Sequence, residues 1–145
     1  MNRNEGSKTD AKVSDLASSA THAHTIDTRG FSYAAVDVAF EPVAAAGTNS
    51  AVANVLTLQH GDTTGSFSAI TGFVAGTDYT LPTPGNTNDT TVVRLNIDLE
   101  GKKRYIKVNV TPKADSAVAT VARLSVAEKT PTDATSGGVN VFVSG

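Results

Sequence analysis

The chain has 145 residues with no cysteine and no tryptophan, and its 12 basic and 14 acidic side chains give a net charge of -2. This length fits one domain with a sizeable core, and the missing cysteines exclude disulfides and thiolate zinc sites. The charge balance lacks the basic footprint of a nucleic-acid binder. No apolar run approaches the roughly 18–20 residues that would cross a membrane.

The first twenty residues are polar and offer few apolar anchors. They predict a flexible or partner-ordered arm over residues 1–20, followed by a single folded domain over residues 21–145. The same segment is too polar for a secretory signal, so we expect a soluble protein that is made in the cytoplasm and used without export.

Alternating side chains predict the first strands of the domain. A strand is predicted over residues 21–27, in which His22 and His24 share one face. The next is predicted over residues 31–41, where the apolar positions change face midway. A β-bulge near Ala34-Ala35 would reconcile the two halves of that strand.

Two further strands are predicted over residues 52–60 and 67–74, with a turn at Gly61–Gly65 between them. Residues 76–90 then contain prolines, glycines and asparagines, and cannot form continuous sheet. Polar loops of this length often mark an interaction surface.

The clearest pattern lies between Thr91 and Thr111, where two runs of alternating apolar and polar residues flank a polar turn. The alternation predicts two half-buried strands. An even loop length keeps both apolar sets on one face of an antiparallel pair. We therefore predict a hairpin with a four-residue loop at Glu100–Lys103, which pairs Ile97 with Ile106.

The last third of the chain continues the strand pattern. A turn at Pro112–Asp115 precedes a strand predicted over residues 117–129, where β-branched content outweighs a helical alternative. A loop over residues 130–138 and a closing strand over residues 139–143 follow. About seven or eight short strands without a long helix predict an all-β protein, an antiparallel and jelly-roll-like β-sandwich.

Candidate catalytic and metal-binding patterns are weak. His22 and His24 could bind a metal with His60, but a zinc site needs three or four ligands and no spacing anchors the third. Histidines in such strands are more often polar face residues. No nucleophile elbow, phosphate-binding glycine loop or assignable carboxylate pair occurs. We therefore expect no enzyme, no cofactor and no bound metal.

The main local concentration of charge is Lys102, Lys103 and Arg104, at the tip of the predicted hairpin. Its charges could simply discourage aggregation of a solvated edge. They could equally dock onto an acidic protein surface. We take Lys102, Lys103 and Arg104, with Asp78 and Tyr79 of the polar loop, as candidate contact residues.

Three segments form a succession that points to a protein family. They are a turn before an aromatic strand, Asp27–Phe31, a strand end, Leu58–Asp62, and the stretch IDLEGKKRY, Ile97–Tyr105. In this succession the chain resembles the decoration or cement proteins of tailed bacteriophages, which are auxiliary head proteins that coat the capsid. The similarity covers roughly residues 21–128.

This resemblance implies a virion protein on the outer surface of the capsid, with a β-sandwich fold. Such proteins usually form homotrimers that bind across neighbouring major capsid proteins and so stabilise the shell. Many weak contacts suffice, because a trimer gains avidity. The alternative is another virion-associated binding module, such as a head-tail or fibre adhesin or a carbohydrate-binding protein. Its stacking aromatics would have to be Tyr33, Tyr79 and Tyr105.

Overall fold

The computed structural model describes residues 7–17, 19–42, 51–84, 90–126 and 141–144. Nine strands lie within these ranges. In chain order they are β1 Ser7–Leu16, β2 His22–Asp27, β3 Tyr33–Phe40, β4 Ala53–Thr63, β5 Ser66–Val74, β6 Thr91–Asp98, β7 Tyr105–Pro112, β8 Ser116–Ser125 and β9 Val141–Ser144. No helix of the described residues is long and apolar enough to cross a membrane.

The strands form two sheets around a shared core. One sheet has the order β1-β8-β3-β6-β9 and the other the order β2-β7-β4-β5. Strands β1 to β8 pair antiparallel, whereas β9 lies parallel to β6. The predicted all-β sandwich is confirmed.

Side-chain alternation explains why these residues form these strands. In β6 and β7 every second side chain is apolar and fully buried: Val93, Leu95, Ile97, Ile106, Val108 and Val110. Burial of each such side chain contributes about 1.5–3 kcal/mol. Residues from both sheets belong to one hydrophobic cluster, so the core is the layer between the sheets.

The hairpin predicted over residues 91–111 is wrong. β6 pairs with β3 and β9, whereas β7 pairs with β2 and β4. Ile97 therefore lies beside Ala34, and Ile106 beside Ile26 in the other sheet. The connection crosses between the sheets. Alternation specifies which side chains are buried, but two strands that face each other across a core show the same pattern as two strands that pair.

The N-terminal segment also differs from expectation. An arm is predicted over residues 1–20, whereas Ser7–Leu16 forms β1 and pairs along its whole length with β8. Its inward positions include the polar residues Asp10 and Ser14, so it lacks the apolar alternation of the other strands. Polar partners in β2, the side chains of His22 and His24, take the place of apolar contacts.

The bulge predicted near Ala34-Ala35 is wrong, because β3 keeps a continuous register with both β6 and β8. Tyr33 lies on the outer face of the sheet and is nevertheless buried. The apolar positions therefore change face in the sequence because Tyr33 is buried on the outer face of the sheet, outside the main core. β4 extends to Thr63, which shortens the turn predicted at Gly61–Gly65 to its last two residues.

The other predicted strands occur close to their expected positions, as β2, β4, β5, β8 and β9. The predicted loop over residues 130–138 lies outside the described residues. Within the predicted loop over residues 76–90, residues 85–89 also lie outside them. The described remainder contains a turn over residues 76–78, and Tyr79 forms an isolated bridge with Ala75.

Candidate functional site

Three stretches that are distant in sequence meet at one end of the sandwich. The turn after β2 contacts the β6–β7 connection, because the backbone N–H and the hydroxyl of Thr28 both donate to the carbonyl oxygen of Arg104, at 3.0 and 2.6 Å. The end of β4 reaches the same place, where Gly61 pairs with Tyr105. We refer to these stretches together as the charged end: residues 27–31, 60–62 and 99–105.

Arg104 is fixed at the charged end by a bidentate ion pair. Its Nε and Nη2 atoms lie 3.1 and 2.7 Å from the two carboxylate oxygens of Asp27. Its guanidinium lies over the ring of Tyr105, 4.6 Å from the centroid. The hydrogen bond from Arg104 lowers the pKa of Asp27 to about 2, and the same bond raises the pKa of Arg104. Arg104 therefore ties the two turns together.

Lys102 and Lys103 belong to the same connection, and Lys103 is exposed. Lys103 Nζ lies 2.9 Å from Asp62 Oδ2, but their side chains are 44% and 73% exposed, and such surface pairs contribute only about 0–1 kcal/mol. The backbone N–H of Lys102 donates to the carbonyl oxygen of Leu99 at 3.0 Å, which closes the turn. Burial and then the nearby ammonium groups lower the pKa of His60. These two lysines are the candidates that remain available to a partner.

Asp78 and Tyr79 lie elsewhere and fix the turn after β5. One carboxylate oxygen of Asp78 accepts the backbone N–H groups of Gly72 and Val74, both at 2.9 Å. The Tyr79 hydroxyl donates to the carbonyl oxygen of Leu56 at 3.0 Å, and burial raises the pKa of Tyr79. Along β4 that contact is about 15 Å from the charged end. The structure does not bring the two candidate groups together.

The three histidines do not converge on a metal position. His22 and His24 are buried on β2, with ring centroids 6.4 Å apart. His60 lies on β4, on the other side of β7 and opposite Ile106. Within the described ranges, no group of three or more histidine, cysteine or acidic side chains could hold a metal ion.

His22 and His24 instead belong to a buried polar cluster. The two ring nitrogens of His22 lie 2.8 Å from Ser14 Oγ and 2.9 Å from Thr120 Oγ1. Those of His24 lie 2.7 Å from Thr120 Oγ1 and 3.1 Å from Asp10 Oδ1. We refer to these five residues as the histidine cluster. It joins β1, β2 and β8, and so connects the two sheets.

The histidine cluster contains an acid, a base and a hydroxyl, as a hydrolase triad does, but the hydroxyl is inaccessible. Thr120, which lies between His24 and His22, is 0% exposed. A nucleophile must come within hydrogen-bonding reach of both its base and the reacting carbon, and a substrate cannot approach a fully buried side chain. The geometry is suited to holding strands together.

The sequence analysis missed Asp10, Ser14 and Thr120. A signal existed for Thr120, because it alternates with apolar residues along β8 and the two histidines share the inward face of β2. Buried polar side chains need partners. Asp10 and Ser14 could not be identified in this way, because β1 pairs with residues about 110 positions later in the chain.

A second group of charges lies on the outer face of the five-stranded sheet. Arg94 and Arg123 both bind Asp37, with Nη2 atoms 2.7 and 2.8 Å from its Oδ2 atom. On the same face the side chain of Asn96, 1% exposed, and the hydroxyl of Tyr33 are buried without a hydrogen-bond partner among the described residues. The ion pairs span β3, β6 and β8 and so help to fix their register.

The tyrosines that a carbohydrate-binding role would need are all in contacts within the chain. Tyr33 is buried, Tyr79 binds the backbone of β4, and Tyr105 lies under a guanidinium. A cleft of about 200 Å³ beside the β5 turn has neither a charged nor an aromatic side chain in its lining, which comprises Ala51, Ala53, Asn54, Ala75, Gly76, Thr80 and Leu81.

The charged end is thus the part of the described surface best suited to contact a partner. Its turns are tied together by ion pairs and backbone hydrogen bonds, while the side chain of Lys103 is paired with Asp62 at the surface and remains 44% exposed. The side chains of the histidine cluster and of the Asp37 ion pairs already bind other residues of the chain. Neither a scan against protein-family models nor searches of curated proteins and of solved structures found a match for this chain.

Proposed function

We propose that this protein is a structural component of a tailed-bacteriophage virion. In this role it decorates the outer surface of the capsid and stabilises the shell by binding across neighbouring major capsid proteins. The observation that carries the proposal is where the three resembling segments lie. Asp27–Phe31, Leu58–Asp62 and Ile97–Tyr105 are far apart in the sequence, yet parts of all three meet at the charged end. A shared pattern at one location supports a shared contact surface.

The strand order gives a second line of support. β1 pairs with β8, β2 with β7, β3 with β6 and β4 with β5. We infer from this order a jelly roll, in which one long two-stranded ribbon is folded over into two sheets. Jelly rolls are frequent in viral capsid proteins and in lectins. One fold serves many functions, so the fold supports the proposal without carrying it.

Lys102 and Lys103 are the side chains that we assign to capsid contact. They lie on a connection that the Arg104–Asp27 ion pair holds in place, so little order has to be gained on binding. Ammonium groups at an interface rim steer association toward an acidic surface and fix its register. A homotrimer would present three such tips, and simultaneous engagement raises avidity by roughly 10²–10⁴.

Binding of the purified protein to capsids that lack it, from the phage whose genome encodes it, tests this function. The double variant Lys102→Glu/Lys103→Glu should reduce the protein that co-sediments with those capsids roughly tenfold or more at low salt, because repulsion replaces attraction. Lys113→Glu is the matched control. Lys113 is exposed beyond the end of β7, away from the charged end, and its reversal should leave binding unchanged.

Two results would count against the proposal. Equal co-sedimentation of the double variant and the parent would remove the charged end from the contact. A parent protein that neither binds the capsids nor raises their melting temperature would exclude decoration itself. Native mass spectrometry tests the homotrimer, for which we expect three times the chain mass of 14.9 kDa. A purely monomeric species at micromolar concentration would contradict that assembly.

A further inference from the structure

We propose that the histidine cluster is an acid-sensitive clasp, which holds β1 in the five-stranded sheet at neutral pH and releases it when the cluster takes up protons. The inference concerns Asp10, Ser14, His22, His24 and Thr120, and it does not depend on the proposed function. It rests on the way β1 is attached, on the direction of the hydrogen bonds in the cluster, and on the charges that face it.

β1 is held with little apolar burial. Among the described strands it lies at the edge of the sheet and pairs only with β8. Its inward side chains are Lys8, Asp10, Lys12, Ser14 and Leu16, of which all but Leu16 are polar. The apolar side chain of Val13 faces outward and is 71% exposed. Attachment therefore depends on backbone pairing with β8 and on the polar contacts that the inward side chains make with β2.

When both imidazoles are neutral, the acceptor-only carboxylate of Asp10 sets the direction of the hydrogen bonds in the cluster. His24 Nε2 must donate to it, so the other nitrogen of a neutral His24 accepts from the Thr120 hydroxyl. That hydroxyl, having donated its proton, accepts from His22 Nε2. The remaining nitrogen of His22 then accepts from Ser14. With one proton on each imidazole, four hydrogen bonds therefore run in one direction from Ser14 to Asp10.

An added proton disrupts this chain. On His22 it turns the nitrogen that accepts from Ser14 into a donor, and the serine hydroxyl must reverse. On His24 it turns the nitrogen that accepts from Thr120 into a donor. When only His24 is protonated, Thr120 can accept from it and donate to His22, provided that His22 changes tautomer and donates to Ser14. When both imidazoles are protonated, Thr120 accepts from both, and its hydroxyl is left with the carbonyl oxygen of Lys12, which is 3.5 Å away and makes a weaker hydrogen bond.

The surrounding charges can balance one proton but not two. β1 contributes Lys8, Asp10 and Lys12, whereas the inward positions of β7 and β8 beside the histidines carry no charge. Asp10, which lies 3.1 Å from His24, can pair with one imidazolium. A second imidazolium on His22 would meet the positive charge on His24 and the ammonium of Lys12, which is bound to the carbonyl oxygen of Ala23.

The sign of the pH effect follows from His22. Burial, then Lys12 and His24, lower the pKa of His22 below its ordinary value of 6.5. The released state, in which His22 is solvated, therefore binds a proton more readily than the attached state. Stability from a neutral, buried base is fully present above the unperturbed pKa and is lost as the pH falls. Release of β1 should begin below about pH 6.5.

Hydrogen exchange of the backbone amides between pH 8 and pH 5, corrected for the intrinsic pH dependence of exchange, tests the clasp on the unmodified protein. Protection of the paired amides in Ser7–Leu16 should fall by up to about tenfold per pH unit below 6.5 for each proton taken up. Protection of β3, in the middle of the same sheet, should stay constant.

Variants separate the clasp from other histidine effects. His22→Gln keeps a donor near Thr120 but cannot titrate, so protection of β1 should lose most of its pH dependence. His60→Gln is the matched control and should behave as the parent. Val13→Cys/Ala119→Cys replaces two directly paired residues in a chain that has no cysteine of its own. Its disulfide should retain β1 at pH 5, and reduction should restore the loss.

Three outcomes would overturn the proposal. Constant protection of β1 from pH 8 to pH 5 in the parent would show that no release occurs. Simultaneous loss of protection in β1 and β3 would show global unfolding. An unchanged pH dependence in a folded His22→Gln variant would assign the effect to other groups. The first two measurements need no variant, so a failure of His22→Gln to fold leaves the test intact.

Discussion

Gly61, where β4 passes the start of β5, has no room for a side chain. A Cβ there would overlap the backbone carbonyl oxygen of Ser66 and approach that of Thr63 to 3.0 Å. These backbone atoms cannot move aside without disturbing the pairing of Thr63 with Ser66. We expect Gly61→Ala to lower the free energy of unfolding by about 1–3 kcal/mol, as overpacking does elsewhere.

Urea denaturation of Gly61→Ala beside Gly65→Ala measures this effect. A Cβ on Gly65 would meet no atom within 4 Å, so the control variant should unfold at the midpoint of the parent. Equal midpoints for the two variants would show that the close approach of β4 and β5 at Gly61 can accommodate a methyl group.

At the charged end, the sequence predicts where the cationic side chains lie but not which contacts they make. The sequence alone places Lys102, Lys103 and Arg104 at a turn between two strands, because a polar run interrupts two alternating ones. It does not reveal that Arg104 is bound to Asp27, 77 positions earlier. Which of three adjacent cations is held and which extends into solvent depends on how distant turns pack.

Within a single strand, the local sequence pattern predicts which face is buried but not which other strands pair with it. The buried residues of β6 and β7 follow from alternation, and both strands occur where the pattern puts them. Their pairing in different sheets does not follow, since pairing is a long-range property. β1 was missed for the opposite reason. Its inward row is mostly polar, and the two histidines of β2 make that row compatible with a buried side.

The β6–β7 connection depends on one backbone conformation. Gly101 has φ +70, in the left-handed region, where a side chain costs about 1–2 kcal/mol. A Cβ there would meet nothing within 4 Å, so only backbone strain opposes a substitution. We expect Gly101→Ala to lower the free energy of unfolding by about 1 kcal/mol in urea denaturation.

The same experiment has an internal check. Gly101→Asn should be closer to the parent than Gly101→Ala, because asparagine tolerates left-handed backbone better than alanine does. Gly65→Ala again serves as the unstrained control. If Gly101→Ala is as stable as the parent, the connection can adopt a conformation in which position 101 does not need a positive φ.

At the scale of the whole molecule, neither sheet can form from one half of the chain. The four-stranded sheet combines strands that begin at His22 and end at Pro112, and the five-stranded sheet combines strands from Ser7 to Ser144. Of the nine strands in the described ranges, only β4 and β5 are neighbours in both sequence and sheet. Most pairing therefore has to wait for distant segments to meet, which is typical of β proteins that fold in milliseconds to seconds.

This interleaving predicts that the two sheets unfold together. The chain has no tryptophan, so tyrosine emission can report on each sheet separately. Tyr33→Phe/Tyr79→Phe leaves Tyr105 on β7 as the reporter, and Tyr79→Phe/Tyr105→Phe leaves Tyr33 on β3. Because both variants lack the hydrogen bond from Tyr79 to Leu56, its loss affects them alike.

Within each variant, the urea midpoint from tyrosine emission should coincide with the midpoint from far-ultraviolet circular dichroism, as a two-state transition requires. A tyrosine transition that precedes the loss of β structure in either variant would show that one sheet outlasts the other.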